Sequence, residues 1–294
     1  MNRECMLVPK VASARLWAIR ELRNARIECP ETAADTLLGF VLGWDRVRVL
    51  SRCEQDLDEK TWRQFQELVG RHRAGEPLQH LTGEREFYGL AFYVNSEVLI
   101  PRPETEILVE EALKLMQAMP EVESRFVDVG TGSGCIAVSI VHEMPSATGW
   151  GTDISLAALQ VAQKNAVRHG VDQRLQFIQA DLVECFPGTP IFDFVLSNPP
   201  YVAAQDYDRL PPMVRDHEPS RALLGGTDGL EVYGQLIPAA SARLKPGGYM
   251  LLELGAGQEK QVARMIQDCG LSLQSLVKDL RGISRCLIAR KIPE

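Results

Sequence analysis

The sequence predicts an α/β fold, a mostly parallel sheet with helices on both faces, preceded by a small helical domain. Apolar residues recur with a helical period through residues 11–74, and from residue 125 onwards short apolar strands alternate with amphipathic helices. The length of 294 residues is typical of two domains. A hydrophobic fraction of 45% with 24% charged residues is ordinary for a globular protein, which excludes disordered, collagen-like and coiled-coil classes.

Three helices are expected in the N-terminal part, at residues 11–27, 30–43 and 56–75. Pro30 ends the first and opens the second, at a position where its missing N–H costs nothing, and Gly43 ends the second. The third begins at Asp56, with Glu59 three residues later in the spacing of a capping box. This bundle contains no chemical motif, so two interpretations stay open: a packing appendage, or a module that binds a partner or substrate.

A change of periodicity marks the connection between the two domains. Residues 84–100 combine aromatic and β-branched side chains around Gly89, which predicts a β-hairpin, and Pro103 then opens a helix that runs to about Met119. Strands are expected at 125–129, 147–152, 175–179, 192–197, 248–254, 271–277 and 284–290, and helices near 133–143, 155–168, 230–243 and 257–268.

The charge of the chain is unevenly distributed. It has 39 acidic and 32 basic residues and a formal charge of −7. Residues 1–90 contain 14 of each kind, so residues 91–294, with 25 acidic and 18 basic residues, carry the whole excess. This balance disfavours a protein that binds nucleic acid mainly by neutralising phosphates.

Cysteine usage and hydropathy indicate the compartment. The seven cysteines are odd in number and form no CxxC pair, which favours reduced thiols over a disulfide framework or a zinc site. The N-terminal sequence MNRECMLVPK lacks the apolar segment of a secretory signal, and no run of 18 apolar residues occurs. We therefore expect a soluble cytoplasmic protein without a bound metal.

A glycine-rich turn follows the first strand of the α/β part. Its residues are Gly130, Thr131, Gly132, Ser133 and Gly134. Glycines at a strand-to-helix turn allow a tight bend and a close approach of a ligand to the backbone. A dinucleotide-binding turn would have the spacing GxGxxG, and here the third glycine comes one residue too early. A turn of this kind that begins with an acid fits a cofactor with an amino-acid end better than one with a pyrophosphate.

Two acids follow the next two strands. Asp153, at the end of the second strand, is placed to accept hydrogen bonds from both hydroxyls of a ribose, although a cap of the next helix is an alternative for it. Asp181 is placed to accept from an adenine amino group, and Leu182 to lie against the ring. The glycine turn and the acids in this order resemble the class I S-adenosylmethionine-dependent methyltransferases. That resemblance implies a Rossmann-like, seven-stranded sheet whose last strand is antiparallel.

The fourth strand of the α/β part runs directly into Asn198, Pro199, Pro200 and Tyr201. Ligands of open α/β sheets bind at the carboxyl ends of the strands, so this loop is expected to face the same crevice as the glycine turn. The consecutive prolines make a stiff loop, on which the Asn198 side-chain oxygen and the Pro199 carbonyl are two acceptors, while Tyr201 offers a flat face for stacking. An ordinary turn is the alternative for such a motif in isolation.

Two fixed acceptors suit one chemical problem. A planar NH2 conjugated to a carbonyl or a ring is a poor nucleophile because its lone pair is delocalised. Acceptors that hold both N–H hydrogens orient the nitrogen and favour localisation of the lone pair, so that it points at a sulfonium methyl group for in-line transfer. The motif itself admits two methyl acceptors, the exocyclic amine of adenine and the side-chain amide of glutamine.

Two further segments resemble signatures of the peptide chain release factor glutamine N5-methyltransferases, the PrmC or HemK type. They are LIPRPETE at residues 99–106 and EPSRALLGGTDGL at residues 218–230. The resemblance covers the whole chain, with four motifs in the expected order. It implies methyl transfer from S-adenosylmethionine, which becomes S-adenosylhomocysteine, to the glutamine of the Gly-Gly-Gln (GGQ) motif of class 1 release factors.

The resemblance also implies a division of the chain and roles for its residues. Residues 1–84 would be a helical substrate-recognition domain, residues 85–101 a hairpin connector and residues 102–294 the methyltransferase domain. The cofactor site would comprise Gly130, Thr131, Gly132, Ser133, Gly134, Asp153, Asp181, Leu182 and Asn198, and the catalytic and glutamine-binding site Asn198, Pro199, Pro200 and Tyr201. Related enzymes often have an aromatic residue where this chain has Leu182, so ring stacking is lost there.

The resemblance leaves open the role of the charged segment before the first helix of the methyltransferase domain. Arg102, Glu104 and Thr105 either close over the cofactor or cap the helix that begins near Pro103. The resemblance implies that the protein substrate is a release factor, and we expect no direct contact with nucleic acid or membrane and a monomeric chain. The alternatives are an N6-adenine nucleic-acid methyltransferase, a protein that senses S-adenosylmethionine without turnover, and an NAD-dependent enzyme, which the glycine spacing opposes.

Overall fold

The computed structural model describes residues 8–119 and 123–293 and divides them into two compact units. The first unit comprises the described residues up to Gly83 together with Pro212–His217, and the second comprises Glu84–Pro211 and the residues from Glu218 onwards. No helix in the described part of the chain combines the length and the apolarity that a membrane span requires.

The first unit is a bundle of helices. Its elements are α1 (Val11–Asn24), α2 (Pro30–Leu42), α3 (Arg46–Ser51), α4 (Glu59–Arg73) and α5 (Leu78–Thr82). Their apolar faces enclose a core of their own, in which Leu22, Leu37, Leu38 and Phe65 are fully buried. Because these side chains form one hydrophobic cluster, the bundle has a core of its own.

The ends of these helices test the sequence expectations. Pro30 is the first residue of α2, and Gly43 ends that helix in the left-handed conformation, so both expectations are confirmed. The expected start of the third long helix at Asp56 is wrong. Asp58 caps α4, because its carboxylate accepts the Thr61 backbone N–H at 2.8 Å.

The second unit contains a hairpin and a seven-stranded sheet. The hairpin strands are β1 (Glu84–Phe87) and β2 (Leu90–Tyr93). The strands of the sheet are β3 (Arg125–Val129), β4 (Thr148–Asp153), β5 (Leu175–Gln179), β6 (Phe192–Ser197), β7 (Leu244–Glu253), β8 (Leu271–Lys278) and β9 (Ser284–Lys291). Their order is β5-β4-β3-β6-β7-β9-β8, and β9 runs antiparallel to both of its neighbours, β7 and β8. The expected seven strands and the antiparallel last strand are confirmed.

Helices cover both faces of this sheet. They are α6 (Glu106–Gln117), α7 (Cys135–Glu143), α8 (Leu156–Arg168), α11 (Glu231–Arg243) and α12 (Glu259–Asp268). Two short helices, α9 (Ala204–Tyr207) and α10 (Pro212–Arg215), lie between β6 and α11 in the sequence, and α10 belongs to the first unit. Successive strand residues enter opposite cores: Leu251 packs on the side of α6 and α7, and Met250 and Leu252 on the side of α11 and α12. Phe87 and Phe92 of the hairpin join the core on the side of α6 and α7, so the expected connector packs with the second unit.

The strand order places a crevice beside β3. The chain proceeds from β3 to β4 and β5 on one side and then crosses to β6 on the other. The loops after β3 and β6 therefore leave the sheet next to each other, at the point where ligands bind in open α/β sheets. These two loops are the glycine turn and the Asn-Pro-Pro-Tyr segment.

Candidate active site

A cavity of about 220 Å3 opens at the carboxyl ends of β3, β4, β5 and β6. Most residues that the sequence singled out line its wall: Gly130, Thr131, Gly132, Ser133, Asp153, Asp181, Leu182, Asn198 and Pro200. Gly134, Pro199 and Tyr201 are not part of that wall. The fold thus brings together segments that are far apart in sequence, and it assigns three of the expected residues other positions.

The glycine turn has two parts with different surroundings. Gly130, Gly132 and Gly134 all have positive φ, of 71°, 54° and 79°, which residues with a Cβ rarely adopt. A Cβ on Gly130 or Gly132 would point into open space or graze a single carbonyl. A Cβ on Gly134 would lie 3.0 Å from the Ala162 Cβ, so this glycine permits close packing of α7 on α8. That contact explains why Gly134 lies outside the cavity wall.

Asp153, the last residue of β4, connects this strand to the glycine turn. Its Oδ2 accepts the Gly132 N–H at 3.0 Å, and its Oδ1 accepts the Ser155 N–H at 2.9 Å. The cap of α8 is Ser155, whose hydroxyl accepts the Ala158 N–H. The helix-cap alternative for Asp153 is therefore wrong, and its carboxylate lies at the cavity wall.

The two residues after β5 form the far side of the cavity. Asp181 is exposed and Leu182 is half-buried. Leu182 has a φ of 48°, a left-handed conformation that costs a side-chain-bearing residue about 1 kcal/mol or more. The side chain of Leu182 lies at the cavity wall despite this cost.

A buried acid lies below the glycine turn. The Asp128 carboxylate is fully inaccessible; its Oδ2 accepts the Thr131 hydroxyl at 2.7 Å, and its Oδ1 has no partner. Burial raises the pKa of Asp128 to about 7, while the Thr131 hydroxyl opposes that shift. Asp128 therefore holds the turn from beneath through Thr131 without being part of the cavity wall.

The Asn-Pro-Pro-Tyr loop leaves β6 at the opposite side of the cavity. The Asn198 Nδ2 donates to the Thr105 hydroxyl oxygen at 3.2 Å, and Pro199 is buried beneath the wall. Tyr201 packs partly into the core on the side of α11 and α12, and its hydroxyl lies 3.4 Å from Glu253 Oε1. Its ring is thus occupied by packing on the protein, and the expected stacking face is not at the cavity wall.

Glycines and one glutamine pack tightly around this loop. A Cβ on Gly225 would lie 2.6 Å from the Pro200 carbonyl oxygen, and one on Gly229 would lie 2.3 Å from the Tyr201 carbonyl oxygen. The Gln258 Nε2 donates to that same Tyr201 oxygen at 3.0 Å. The GGTDG segment therefore supports the loop by close backbone packing, and Gln258, which sequence reasoning missed, carries no motif that would have identified it.

The segment before α6 contributes to the cavity in part. Arg102 lies at the wall and pairs at 2.5 Å with Glu218, a buried carboxylate that also accepts the Ile100 N–H at 3.2 Å. Glu104 instead pairs with Arg281 at 3.0 Å and lies outside the wall. Of the three residues left open, Arg102 and Thr105 face the cavity and Glu104 does not.

Glu253, at the end of β7, is a third buried acid near the site, after Asp128 and Glu218, and sequence reasoning missed it. Only 1% of the residue is exposed. Burial raises its pKa to about 7, although the Thr105 and Tyr201 hydroxyls and the Arg285 guanidinium act in the opposite direction. No run or motif surrounds Glu253 in the sequence, so only the fold reveals its proximity to Asn198 through Thr105 and Tyr201.

These residues fit an adenosyl ligand with an amino-acid end. The glycines leave open space above the turn, and Asp153 and Asp181 both line the cavity wall. Among residues 8–119 and 123–293, no group of three His, Cys, Asp or Glu side chains is arranged to hold a metal ion.

Comparison with known proteins agrees with this arrangement. Residues 13–83 match the PrmC N-terminal domain, and residues 109–216 match the methyltransferase small domain. The fold is that of solved methyltransferases. The chain is 18% identical to a methyltransferase from Pyrococcus furiosus, with a TM-score of 0.51 over 77% of this chain and 98% of that one. It is also 18% identical to the hMettl16 catalytic domain, with a TM-score of 0.57 over 78% and 83% of the two chains.

Curated relatives match over nearly the full length. A release factor glutamine methyltransferase of Bradyrhizobium diazoefficiens is 39% identical, and the match covers 96% of this chain and 95% of the relative. One of Koribacter versatilis is also 39% identical, over 93% and 96%. With its cavity, its glycine turn and its Asn-Pro-Pro-Tyr loop in one crevice, the chain belongs to the release factor glutamine methyltransferase family.

Proposed function

We propose that this protein transfers a methyl group from S-adenosylmethionine to the side-chain amide nitrogen, N5, of the glutamine in the GGQ motif of class 1 peptide chain release factors, and so modulates translation termination. The observation that carries the proposal is the position of Asn198. Its side-chain amide lies at the wall of the same cavity as the glycine turn, with its Nδ2 already bonded to Thr105. The names of relatives that match over nearly the whole chain support the same acceptor.

The cofactor would lie along the glycine turn. Gly130, Thr131, Gly132 and Ser133 would hold its amino-acid end, Asp153 the ribose hydroxyls, and Asp181 and Leu182 the adenine. The cofactor supplies a methyl group on a positively charged sulfur. The Asp153 carboxylate already accepts the Gly132 N–H, so it fixes the turn and retains lone pairs for further donors.

The glutamine amide would be held by Asn198 and Pro199. The Asn198 Oδ1 and the Pro199 carbonyl oxygen accept the two N–H hydrogens, so that the nitrogen lone pair is directed at the methyl carbon. The new N–C bond forms as the carbon–sulfur bond breaks, and one amide proton leaves to solvent. Tyr201 would contribute through the position of the loop, because its ring packs on the protein and its carbonyl is held by Gln258.

The proposal extends to substrate binding by the first unit, the oligomeric state and the cellular compartment. The first unit would bind the release factor, because the substrate is itself a protein. We further propose that the chain acts as a monomer in the cytoplasm, without direct contact to nucleic acid. The excess of acidic residues after residue 90 supports the last point, since a nucleic-acid track requires a basic surface.

Transfer of radioactive label tests the choice of acceptor. The protein is incubated with labelled S-adenosylmethionine and either a class 1 release factor or adenine-containing DNA. We expect label in the release factor and none in DNA. Label in DNA, with none in the release factor, would show that the N6-adenine alternative is right.

A further inference from the structure

Gln258 stands where three loops of the second unit meet. It follows the short loop that leaves β7, directly precedes α12 and is half-buried. Its side chain makes no capping hydrogen bond to that helix. The amide therefore has no role at the start of its own helix, and it bonds instead to backbone groups of the surrounding loops.

Both ends of the Gln258 amide are used. Its Nε2 donates to the Tyr201 carbonyl oxygen at 3.0 Å and to the Gly229 carbonyl oxygen at 3.2 Å, which accounts for both of its N–H hydrogens. Its Oε1 accepts the Gly255 backbone N–H at 3.1 Å. One side chain thus connects the Asn-Pro-Pro-Tyr loop, the GGTDG segment and the loop after β7.

The backbone decides which end of this amide faces which loop. A backbone N–H can only donate a hydrogen bond, and a backbone carbonyl can only accept one. The Gly255 N–H therefore requires Oε1, and the two carbonyl oxygens require Nε2. With the amide rotated by half a turn, its NH2 group would face an N–H and its oxygen would face two carbonyl oxygens. The orientation of Gln258 thus follows from the positions of three backbone groups.

Two glycines leave the space that the amide occupies. A Cβ on Gly255 would lie 2.4 Å from Gln258 Oε1, and one on Gly229 would lie 2.7 Å from Gln258 Nε2. Both distances are too short for a real Cβ, so a larger residue at either position would displace the amide. The backbone on both sides is therefore shaped to admit this side chain.

The Tyr201 carbonyl lies at the far end of a stiff loop. At the near end, Ser197 belongs to β6, and its hydroxyl donates to a carbonyl oxygen of β3 at 2.7 Å. Between the two ends, Pro199 and Pro200 have a fixed φ and leave few torsions that could absorb a displacement. A shift of the Tyr201 carbonyl is therefore passed on to the acceptors of Asn198 and Pro199.

The chain after Tyr201 is joined to a second segment. The Val202 N–H donates to the Leu223 carbonyl oxygen at 2.8 Å, and the Val202 carbonyl oxygen accepts the Gly225 N–H at 2.9 Å. These bonds couple the Asn-Pro-Pro-Tyr loop to the start of the GGTDG segment. Because the Gln258 amide is bonded to both segments, it holds the pair together against the end of β7.

We propose that Gln258 is a positioning residue of the proposed methyl transfer: its amide fixes the Tyr201 carbonyl, and so keeps the Asn198 and Pro199 acceptors at the place where the substrate nitrogen is held. The inference rests on the proposed function, because it concerns the loop that would hold the glutamine amide. Gln258 is not part of the cavity wall, so it acts through the loop and not by contact with substrate or cofactor.

Two substitutions at Gln258 test the proposal. Gln258→Glu keeps the size and the acceptor but loses the donor, whereas Gln258→Met keeps the length and adds no charge. We expect both to lower kcat for the release factor at least about tenfold, because an error of about 1 Å in positioning can cost a factor of about 100. The KM for the release factor should change less than kcat, and the Kd for S-adenosylmethionine should stay within about threefold of the wild type.

Two results would overturn the proposal at this stage. One is a wild-type kcat in either variant, measured below the onset of thermal unfolding. The other is a loss of S-adenosylmethionine binding that parallels the loss of kcat, since it would give Gln258 a merely structural role.

Gln274→Glu is the matched control. Gln274 is exposed, and its side-chain hydrogen bonds go to Ser272 of its own strand, β8. The substitution adds the same charge to the same unit, so we expect a wild-type kcat. A fall in Gln274→Glu as large as that in Gln258→Glu would show that the added charge lowers the rate, and it would contradict the role of the Gln258 bonds.

Measurements without turnover separate this inference from the proposed function. The side-chain amide of Asn198 gives a 15N–1H signal, assigned by its absence in Asn198→Asp. We expect this signal to shift in Gln258→Met and to stay in place in Gln274→Glu. An unchanged signal in Gln258→Met would overturn the inference even if the release factor is methylated. If the wild type methylates no release factor, the proposed function fails, while the signal still reports on the loop.

The wild type alone provides a test that does not depend on the folding of a variant. The side-chain NH2 hydrogens of Gln258 are both bonded, so we expect them to exchange with solvent at least about tenfold more slowly than those of Gln274. Exchange at the same rate in the two side chains would overturn the inference.

Discussion

Asn198 is the residue on which the proposed chemistry depends most directly. Asn198→Ala removes one of the two acceptors that would hold the glutamine amide, while the glycine turn and Asp153 remain. We expect turnover to fall by about 100-fold or more, because positioning of this kind is a large catalytic contribution. The Kd for S-adenosylmethionine, measured by calorimetry, should change little. Methylation at a near-normal rate would show that the amide is not held in this way.

The buried carboxyl of Asp128 makes the stability of the protein depend on pH. Its pKa is raised from 3.8 to about 7 in the folded state, so the folded protein binds this proton more tightly than the unfolded chain does. The contribution of Asp128 to stability therefore falls as the pH rises from about 4 to 7 and stays low above that range. Asp128→Asn should remove this fall, with an upper value of about 4 kcal/mol for a shift of this size.

Urea unfolding at a series of pH values checks this expectation. The difference between Asp128→Asn and the wild type should be smallest near pH 4 and largest above pH 7. Glu253 has a pKa raised in the same direction and remains in both proteins, so the wild-type slope is not expected to vanish completely. Parallel stability curves for the two proteins across this range would show that Asp128 is not the buried acid responsible.

At the scale of elements, two glycines of the same turn have different roles: Gly134 permits helix packing, and Gly132 faces the cavity. Gly134→Ala adds a Cβ at positive φ and 3.0 Å from Ala162, so we expect a loss of about 1–3 kcal/mol of stability. Gly132→Ala carries the same backbone strain, but its Cβ meets open space on the cavity side. We expect Gly132→Ala to weaken S-adenosylmethionine binding more than Gly134→Ala does, as measured by calorimetry alongside thermal unfolding. The reverse order would contradict the two assigned roles.

The regular elements were largely predictable because local chemistry determines them. Pro30 and Gly43 bound α2 as expected, and apolar runs identified all seven strands of the sheet. Short elements were missed, since α3 and α5, of six and five residues, are too short for a helical period to emerge. The start of α4 was misplaced because two aspartates compete in sequence, and only the folded chain shows that Asp58 makes the capping bond.

The candidate site was predictable only where a motif marks it. The glycine turn and the Asn-Pro-Pro-Tyr loop are contiguous, so their residues could be named in advance. Thr105 and Asn198 are separated by 93 positions, and Tyr201 and Glu253 by 52. The strand order brings such pairs together, and the strand order cannot be predicted from the hydrophobic pattern of a single sequence. For the same reason, the packing of Gly134 on α8 and of the Tyr201 ring on the core could not be anticipated.

For the whole molecule, we propose that the first unit binds the release factor and that the second unit binds the cofactor. The first unit has an apolar core of its own, and the second unit has its own apolar clusters on the two faces of its sheet. For a chain that begins at Glu84, we expect S-adenosylmethionine binding to persist and the KM for a release factor to rise at least about tenfold. A short peptide containing the GGQ sequence is the matched control, and both chains should methylate it equally. An unchanged KM for the release factor would leave the first unit without a role in substrate binding.

The identity of the methylated atom tests the central claim most directly. A class 1 release factor is incubated with S-adenosylmethionine and either the wild type or Asn198→Ala, then digested and analysed by tandem mass spectrometry. We predict one added methyl group on the side chain of the GGQ glutamine after incubation with the wild type, and none above background with Asn198→Ala. A GGQ glutamine that stays unmodified while another residue gains the methyl group would contradict the claim.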